Sequence, residues 1–446
     1  MSPSPRRALW LVLVSLGAVA LLVPRAGSAP VVHVRFHSAG VPPLTEGARP
    51  LFGDDSDTLR GSMDAPDLSR WWTVDVDADD VDDAIAAIAA AGAGDVSAEP
   101  VLVPAVLAVD RAGSGVADDG PSCPVKTPVY DARQGYRAAV GVDAAWSLPG
   151  GRGQGMAFAD VEGEWNDKHE DLPGGEIEHV AGRRQRSEVW RQHGTAVLGV
   201  VAARDNSAGM LGLAPDVERI VTSSLGGIGP ARAVYEAAKR LNAGDVLILE
   251  LHGPGPRSDG RGQKGYVPME YWQPEFDAIR FATNKGVIVV EAGGNGGEDL
   301  DAPVYQGRFD RRVRDSGAIL VGAGAPPGVD VPERGRLAFS NYGARVDVQG
   351  WGLHVATLDY GDLQGCSQPS RKYTALFAGT SSASPVVAGA VLAIQGAVKR
   401  AKGAPLSPAD MRALLVTTGT PEAAPTHVIG PLPHVGRALT AAGIRP

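Results

Sequence analysis

Apolar and polar positions change their rhythm near Tyr130. Beyond it, short continuous apolar runs at Met156–Ala159, Val246–Leu251, Val287–Val290 and Ala318–Val321 alternate with helix-period stretches at Thr195–Ala203, Ala231–Leu241 and Glu275–Asn284. Short apolar runs read as strands buried on both faces, and their alternation with helices predicts βαβ units and a mostly parallel sheet. Ligand and active sites in such sheets gather beyond the carboxyl ends of the strands.

Ahead of Tyr130 the pattern is different. Val31–Phe36 and Trp71–Val76 read as strands. Val81–Ala91 reads as a helix with Ile85 and Ile88 on one face, and Asp95–Val106 is strand-like again, broken by Pro100 and Pro104. The Pro-, Gly- and Asp-rich stretch from Gly40 to Ser69 predicts loop. A small α+β domain is therefore expected over 30–106, a linker over 107–124 and a larger α/β domain over 125–446. Residues 1–29 read as a signal peptide, with Arg6 and Arg7 before the apolar run Ala8–Val23 and small residues up to Ala29. That run is short for a membrane span. It predicts a secreted or periplasmic protein.

The 446 residues are 44% apolar and 21% charged, enough for a large core, and the net charge of −9 argues against a nucleic-acid partner. The acidic run from Asp75 to Asp83 reads as solvated surface. Cys123 and Cys366 stand outside any CxxC motif. In an exported chain they can form one long-range disulfide, and the sequence leaves open whether they meet.

Four polar positions carry candidate chemistry. Ser381, in GTSSASP ahead of an Ala-rich helix, is expected in a first turn, where free N–H groups favour developing negative charge; Pro385 is placed in that turn too. His193, with Gly194 after it, is expected at a helix start as a general base. Asp160 follows the strand Met156–Ala159 and can orient an imidazole, with Glu162 and Glu164 as nearby rivals. Asn295, among glycines after Val287–Val290, can donate to an oxyanion. Each also has a plain reading, as cap, surface or turn residue. Their chain order, Asp–His–Ser, separates this arrangement from two other triad orders, and no G-x-S-x-G elbow occurs.

These segments resemble the subtilisin-like serine peptidases. HGTAVLGVVAARDNSAGMLGLAP is similar to that family's His block, GTSSASP to its Ser block and VIVVEAGGN to its oxyanion-Asn block. FADVEGEWNDKHEDL resembles its Asp block, although Val161-Glu162 follows Asp160 and the stretch to His169 is two residues longer than usual. The resemblance covers roughly 125–446. It implies a three-layer α/β/α subtilisin-like domain with a mostly parallel sheet, preceded by a small α+β propeptide-like domain. It implies Ser381 as nucleophile, His193 as base and then acid, Asp160 as orienting carboxylate, and Asn295 with the Ser381 N–H as oxyanion hole. Protein or peptide substrates would lie along Leu249, Glu250, Leu251, His252 and Gly253. Glu250 and His252 depart from the family pattern there and imply a narrower pocket or a preference for basic residues. A structural calcium ion would be held by Asp171 and Asn206 with carbonyls of Arg204, Ala208 and Met210. The N-terminal domain would act as inhibitor and folding aid, cut off between Leu107 and Lys126, and a Cys123–Cys366 bond would tie the new N-terminus to the Ser381 lobe. A monomer is the family default. Alternatives are a catalytically inactive binding module on the same fold, or a transacylase or peptide ligase.

Overall fold

The computed structural model describes residues 31–36, 49–53, 66–75, 85–86, 93–98, 103–104, 121–423 and 427–445. The expected signal peptide, most of the 81–91 helix and most of the linker lie outside them.

Among the described residues, five strands precede the main domain: β1 (Val31–Phe36), β2 (Arg49–Pro50), β3 (Trp71–Asp75), β4 (Ala93–Ala98) and β5 (Val103–Pro104). The first four form one antiparallel sheet in the order β2-β3-β1-β4. The stretch 95–106, read as strand-like with breaks at Pro100 and Pro104, divides between two sheets: β4 stays with β1, and β5 joins the main domain.

The main domain supplies β6 (Ala157–Glu162), β7 (Ile177–Ala181), β8 (Arg219–Ser224), β9 (Val246–Leu249), β10 (Leu251–Pro254), β11 (Tyr266–Pro268), β12 (Ile288–Ala292), β13 (Ile319–Gly324), β14 (Val348–Trp351), β15 (Val355–Leu358) and β16 (Tyr373–Phe377). Seven of these make a parallel sheet in the order β14-β13-β12-β9-β6-β8-β7. Four long helices flank it: α1 (Glu188–Ala202), α2 (Gly229–Arg240), α3 (Gln273–Asn284) and α4 (Thr380–Lys402).

Alternation along the strands builds the three layers. In β9, Val246 and Ile248 join the core that contains α1 and α4, while Leu247 and Leu249 join the core that contains α2 and α3. Helix α4 is buried on all sides from Thr380 through Val398, and its middle, Val386–Ile394, is accordingly apolar all round. The N-terminal sheet docks on the α2–α3 face. Leu51, Phe52, Leu68 and Trp71 enter that core, Phe52 packs edge-on against Tyr235, and the Trp71 indole N–H donates to Asp277 at 2.8 Å.

Two element boundaries differ from the sequence expectation. Helix α1 starts at Glu188, so His193 lies in its second turn rather than at its start. Helix α4 starts at Thr380, so Pro385 lies inside it, beyond the first turn. Pro385 has no N–H for the Ser381 carbonyl one turn back. Nearby, the Ser384 hydroxyl donates to the Thr380 carbonyl at 2.7 Å. The two cysteines meet: Cys123 and Cys366 are disulfide-bonded with Cα atoms 4.9 Å apart.

Candidate active site

The site lies at the carboxyl ends of β6, β9 and β12, against α1 and α4. Strand β6 runs three residues further than its apolar run, through Asp160 and Val161 to Glu162. Residues two apart in a strand share a face. Phe158 packs in the α1–α4 core, so Asp160 and Glu162 share that side of the sheet.

The two carboxylates have separate partners. His193 Nδ1 bonds Glu162 Oε2, and both side chains are fully buried. Asp160 instead accepts the Trp165 indole N–H at 2.6 Å, and its other oxygen has no partner. The imidazole partner expected at Asp160 is therefore Glu162. Asp160 stands too far back along β6, and the Trp165 ring takes its carboxylate. A signal for this was present in the sequence. Counted from Glu162, the two-residue excess before His169 vanishes. Glu164 is not the partner either; its carboxylate accepts the Trp165 and Arg186 backbone N–H groups and pairs with Arg184. Gly194 lets the Glu164–Trp165 segment approach α1. A Cβ there would stand 2.4 Å from the Glu164 carbonyl oxygen and 2.8 Å from the Trp165 ring.

Ser381 occupies the first turn of α4, as expected, after Gly379 at φ +109°, a backbone state L side chains avoid. Helix α4 packs on α1. The Ser381 hydroxyl and His193 Nε2 are both buried without a hydrogen-bond partner. Two of the atoms that a triad uses are thus uncommitted. The His193 ring stacks edge-on against Phe377 at 5.6 Å.

Asn295 comes to the same place from the loop after β12. Its Oδ1 accepts both the Thr380 N–H (2.9 Å) and the Thr380 hydroxyl (3.0 Å). The Gly294 N–H donates to the Thr380 hydroxyl oxygen at 3.1 Å. These bonds fix the amide plane against Thr380, next in the chain to Ser381. Nδ2 donates to Gln263 Oε1 at 3.1 Å. Gln263 belongs to the segment between β10 and β11, which carried no motif in the sequence.

The expected substrate strand divides at Glu250. Leu249 ends β9, and Leu251, His252 and Gly253 lie in β10. Glu250 turns fully inward, next along the strand from the Val161–Leu249 pair and hence beside Glu162. Its burial, and then the charge of Asp160, push its carboxyl well above the usual range. Asp160 is raised the same way, by burial and then by Glu162. Buried and inward-facing, Glu250 does not present its carboxyl to a substrate side chain. His252 also turns inward: its Nδ1 accepts the Asn295 N–H at 3.1 Å and its ring packs on Tyr266 at 5.0 Å. Strand β5 lies antiparallel to β10, pairing Val103 with His252 and Pro104 with Leu251.

The residues named for calcium do converge, and the oxygens of Asp171, Asn206 and Arg204 accept hydrogen bonds within the turn. Asp171 accepts from the Asn206 amide (2.9 Å) and the Met210 N–H (2.7 Å). Asn206 Oδ1 accepts the Ala208 N–H at 3.0 Å, and the Arg204 carbonyl accepts the Asn206 N–H at 3.0 Å. Burial raises the Asp171 carboxyl to about 6. These bonds close the 204–210 turn on Asp171.

The subtilase family model matches residues 159–431. Subtilisin Savinase of Lederbergia lenta is 32% identical over 208 residues, 46% of this chain and 62% of that protein. The alkaline protease of Alkalihalobacillus alcalophilus is 32% identical over 208 residues, covering 44% of its length. Subtilisin DY of Bacillus licheniformis is 32% identical over 236 residues, 51% of this chain and 70% of that protein. The chain thus matches less than two thirds of the length of the first two. Among solved structures, fervidolysin from Fervidobacterium pennivorans superposes with a TM-score of 0.57 at 18% identity, over 96% of this chain and 63% of that one. A protease from Pseudoalteromonas arctica superposes with a TM-score of 0.50 at 21% identity, over 71% of this chain and 100% of that one, a likeness of fold. With its three-layer architecture and the family match over more than half its length, the chain belongs to the subtilase family.

Proposed function

We propose that the chain is an exported serine endopeptidase that cleaves protein or peptide substrates through an acyl-enzyme, with Glu162 in the place of the usual aspartate. The observation that carries this reading is the His193 Nδ1–Glu162 bond, formed in a site where His193 Nε2 and the Ser381 hydroxyl remain uncommitted. In this mechanism the Ser381 Oγ attacks the scissile carbonyl carbon while His193 Nε2 takes the hydroxyl proton. Glu162 holds the Nδ1–H tautomer and stabilises the imidazolium. The carbonyl π pair moves onto oxygen, which the Asn295 amide and the Ser381 N–H stabilise. The C–N bond then breaks and the leaving amine takes the proton from His193. Water repeats the sequence on the ester and frees Ser381.

The N-terminal region fits the role of a docked inhibitor. Strand β5 takes the edge of β10 that an extended substrate would use, and Trp71 anchors its sheet on α3 through Asp277. The Cys123–Cys366 bond suits an oxidising compartment and, after a cut ahead of Cys123, would tie the new N-terminus to the Ser381 lobe. The Asn295–Gln263 bond favours a second reading, an inactive binding module, since it occupies the oxyanion donor. Intact mass separates the two. Wild type treated with a fluorophosphonate is expected to lose its N-terminal region and gain one adduct, and Ser381→Ala to do neither. An unlabelled, unprocessed wild type would leave the binding module standing.

A further inference from the structure

Strands β10 and β11 are the legs of a hairpin whose tip spans residues 255–265. Its base is pinned to the loop that carries Asn295. The Gly265 N–H donates to the Gly296 carbonyl (3.1 Å), and the Asn341 amide donates to the Tyr266 (2.8 Å) and Gly293 (2.7 Å) carbonyls. Just past β11, Glu270 forms a buried two-point pair with Arg345, at 2.6 and 2.8 Å. From this fixed base Gln263 reaches Asn295 Nδ2.

Asn295 does not need Gln263 for its orientation. Two bonds from Thr380 to Oδ1 already set the amide plane. What Gln263 adds is a carbonyl oxygen on the donor that the proposed chemistry reserves for the scissile carbonyl.

We infer that the 255–265 hairpin is a gate on the oxyanion donor, with the Gln263 amide oxygen standing in for the substrate carbonyl until substrate displaces it. The inference rests on the peptidase reading above. A neutral substrate carbonyl replaces Gln263 in an even exchange of one neutral hydrogen bond for another. A developing oxyanion replaces it at a gain, because charge-assisted bonds are roughly twice as strong. Gln263 therefore slows entry to the reaction without closing the transition state. A net neutral hydrogen bond corresponds to roughly a fivefold effect.

The test is the second-order rate at which a fluorophosphonate labels Ser381 in the full chain, for wild type, Gln263→Ala, Gln263→Glu and the Ser381→Ala blank. Gln263→Ala is expected to label about fivefold faster. Gln263→Glu is expected to label more slowly than wild type above pH 6, because a carboxylate holds the Asn295 N–H more tightly. Thermal midpoints confirm that each variant is folded. Equal rates for wild type and Gln263→Ala would mean that the second amide hydrogen of Asn295 serves substrate, and a slower Gln263→Ala would make Gln263 a support; either overturns the gate. If neither wild type nor Gln263→Ala labels, the peptidase reading itself fails.

Discussion

Replacing Glu162 by Gln and, separately, Asp160 by Asn decides which carboxylate serves His193. Both residues are fully buried, two apart on one face of β6, but only Glu162 touches the imidazole. Glu162→Gln keeps the shape of the side chain and removes the charge that fixes the Nδ1–H tautomer and offsets the imidazolium. In the general serine triad such an exchange costs about 10⁴ in turnover. At 1.36 kcal/mol per decade that is about 5.5 kcal/mol of transition-state stabilisation. Asp160→Asn should cost far less. Its carboxyl is already pushed toward the neutral form by burial and by the Glu162 charge, and an amide oxygen can still accept the Trp165 N–H. The loss is bounded by one hydrogen bond, about 1 kcal/mol or roughly fivefold. Glu162→Asp draws the carboxylate back by one C–C bond, about 1.5 Å, and should fall between the two. The assay is the phosphonylation rate of Ser381, with hydrolysis of a broad peptide mixture beside it. A loss with Asp160→Asn as large as with Glu162→Gln, or an unimpaired Glu162→Gln, would refute the reasoning.

Three further outcomes follow from other parts of the fold. Arg345 is buried between Glu270 and Asp347, so Arg345→Met takes the guanidinium partner from the buried Glu270, while Asp347 keeps Arg311, and should destabilise by about 3–5 kcal/mol in urea unfolding. Because both Asp171 carboxylate oxygens accept N–H donors, EDTA should leave the thermal midpoint unchanged, and a drop of several degrees would favour the calcium reading. Burial holds His169 near 4 against an ordinary 6.5. Between those values the unfolded chain binds a proton that the folded one refuses, so this residue's contribution falls as pH drops from 6.5 toward 4; at pH 5 the loss is about 2 kcal/mol. Asp171, raised to about 6, acts in the opposite sense, gaining stability as pH falls through that value toward 3.8. His169→Gln should therefore narrow the gap between urea midpoints at pH 7 and pH 5, and an unchanged gap would refute the assignment.

Much of the molecule was legible in the sequence because its information is local. Apolar runs separated by helical periods predicted the parallel sheet, since strands buried on both faces must be apolar throughout. GTSSASP placed Ser381 at the start of a helix, and the glycines around Asn295 predicted a loop of close approach. The choice between Asp160 and Glu162 was not local. Both carboxylates share a face of β6, and what separates them is how far the strand runs, where α1 sets His193 and the Trp165 ring that claims Asp160. Helix α1 begins ahead of its strongest apolar stretch because, of its first five residues, only Trp190 is buried, too few to show a period. The division of 95–106 between two sheets, the inward turn of Glu250 and the reach of Gln263 to Asn295 each join residues far apart in the chain. Such contacts are selected by the packed surfaces they meet, and no spacing along the sequence encodes them.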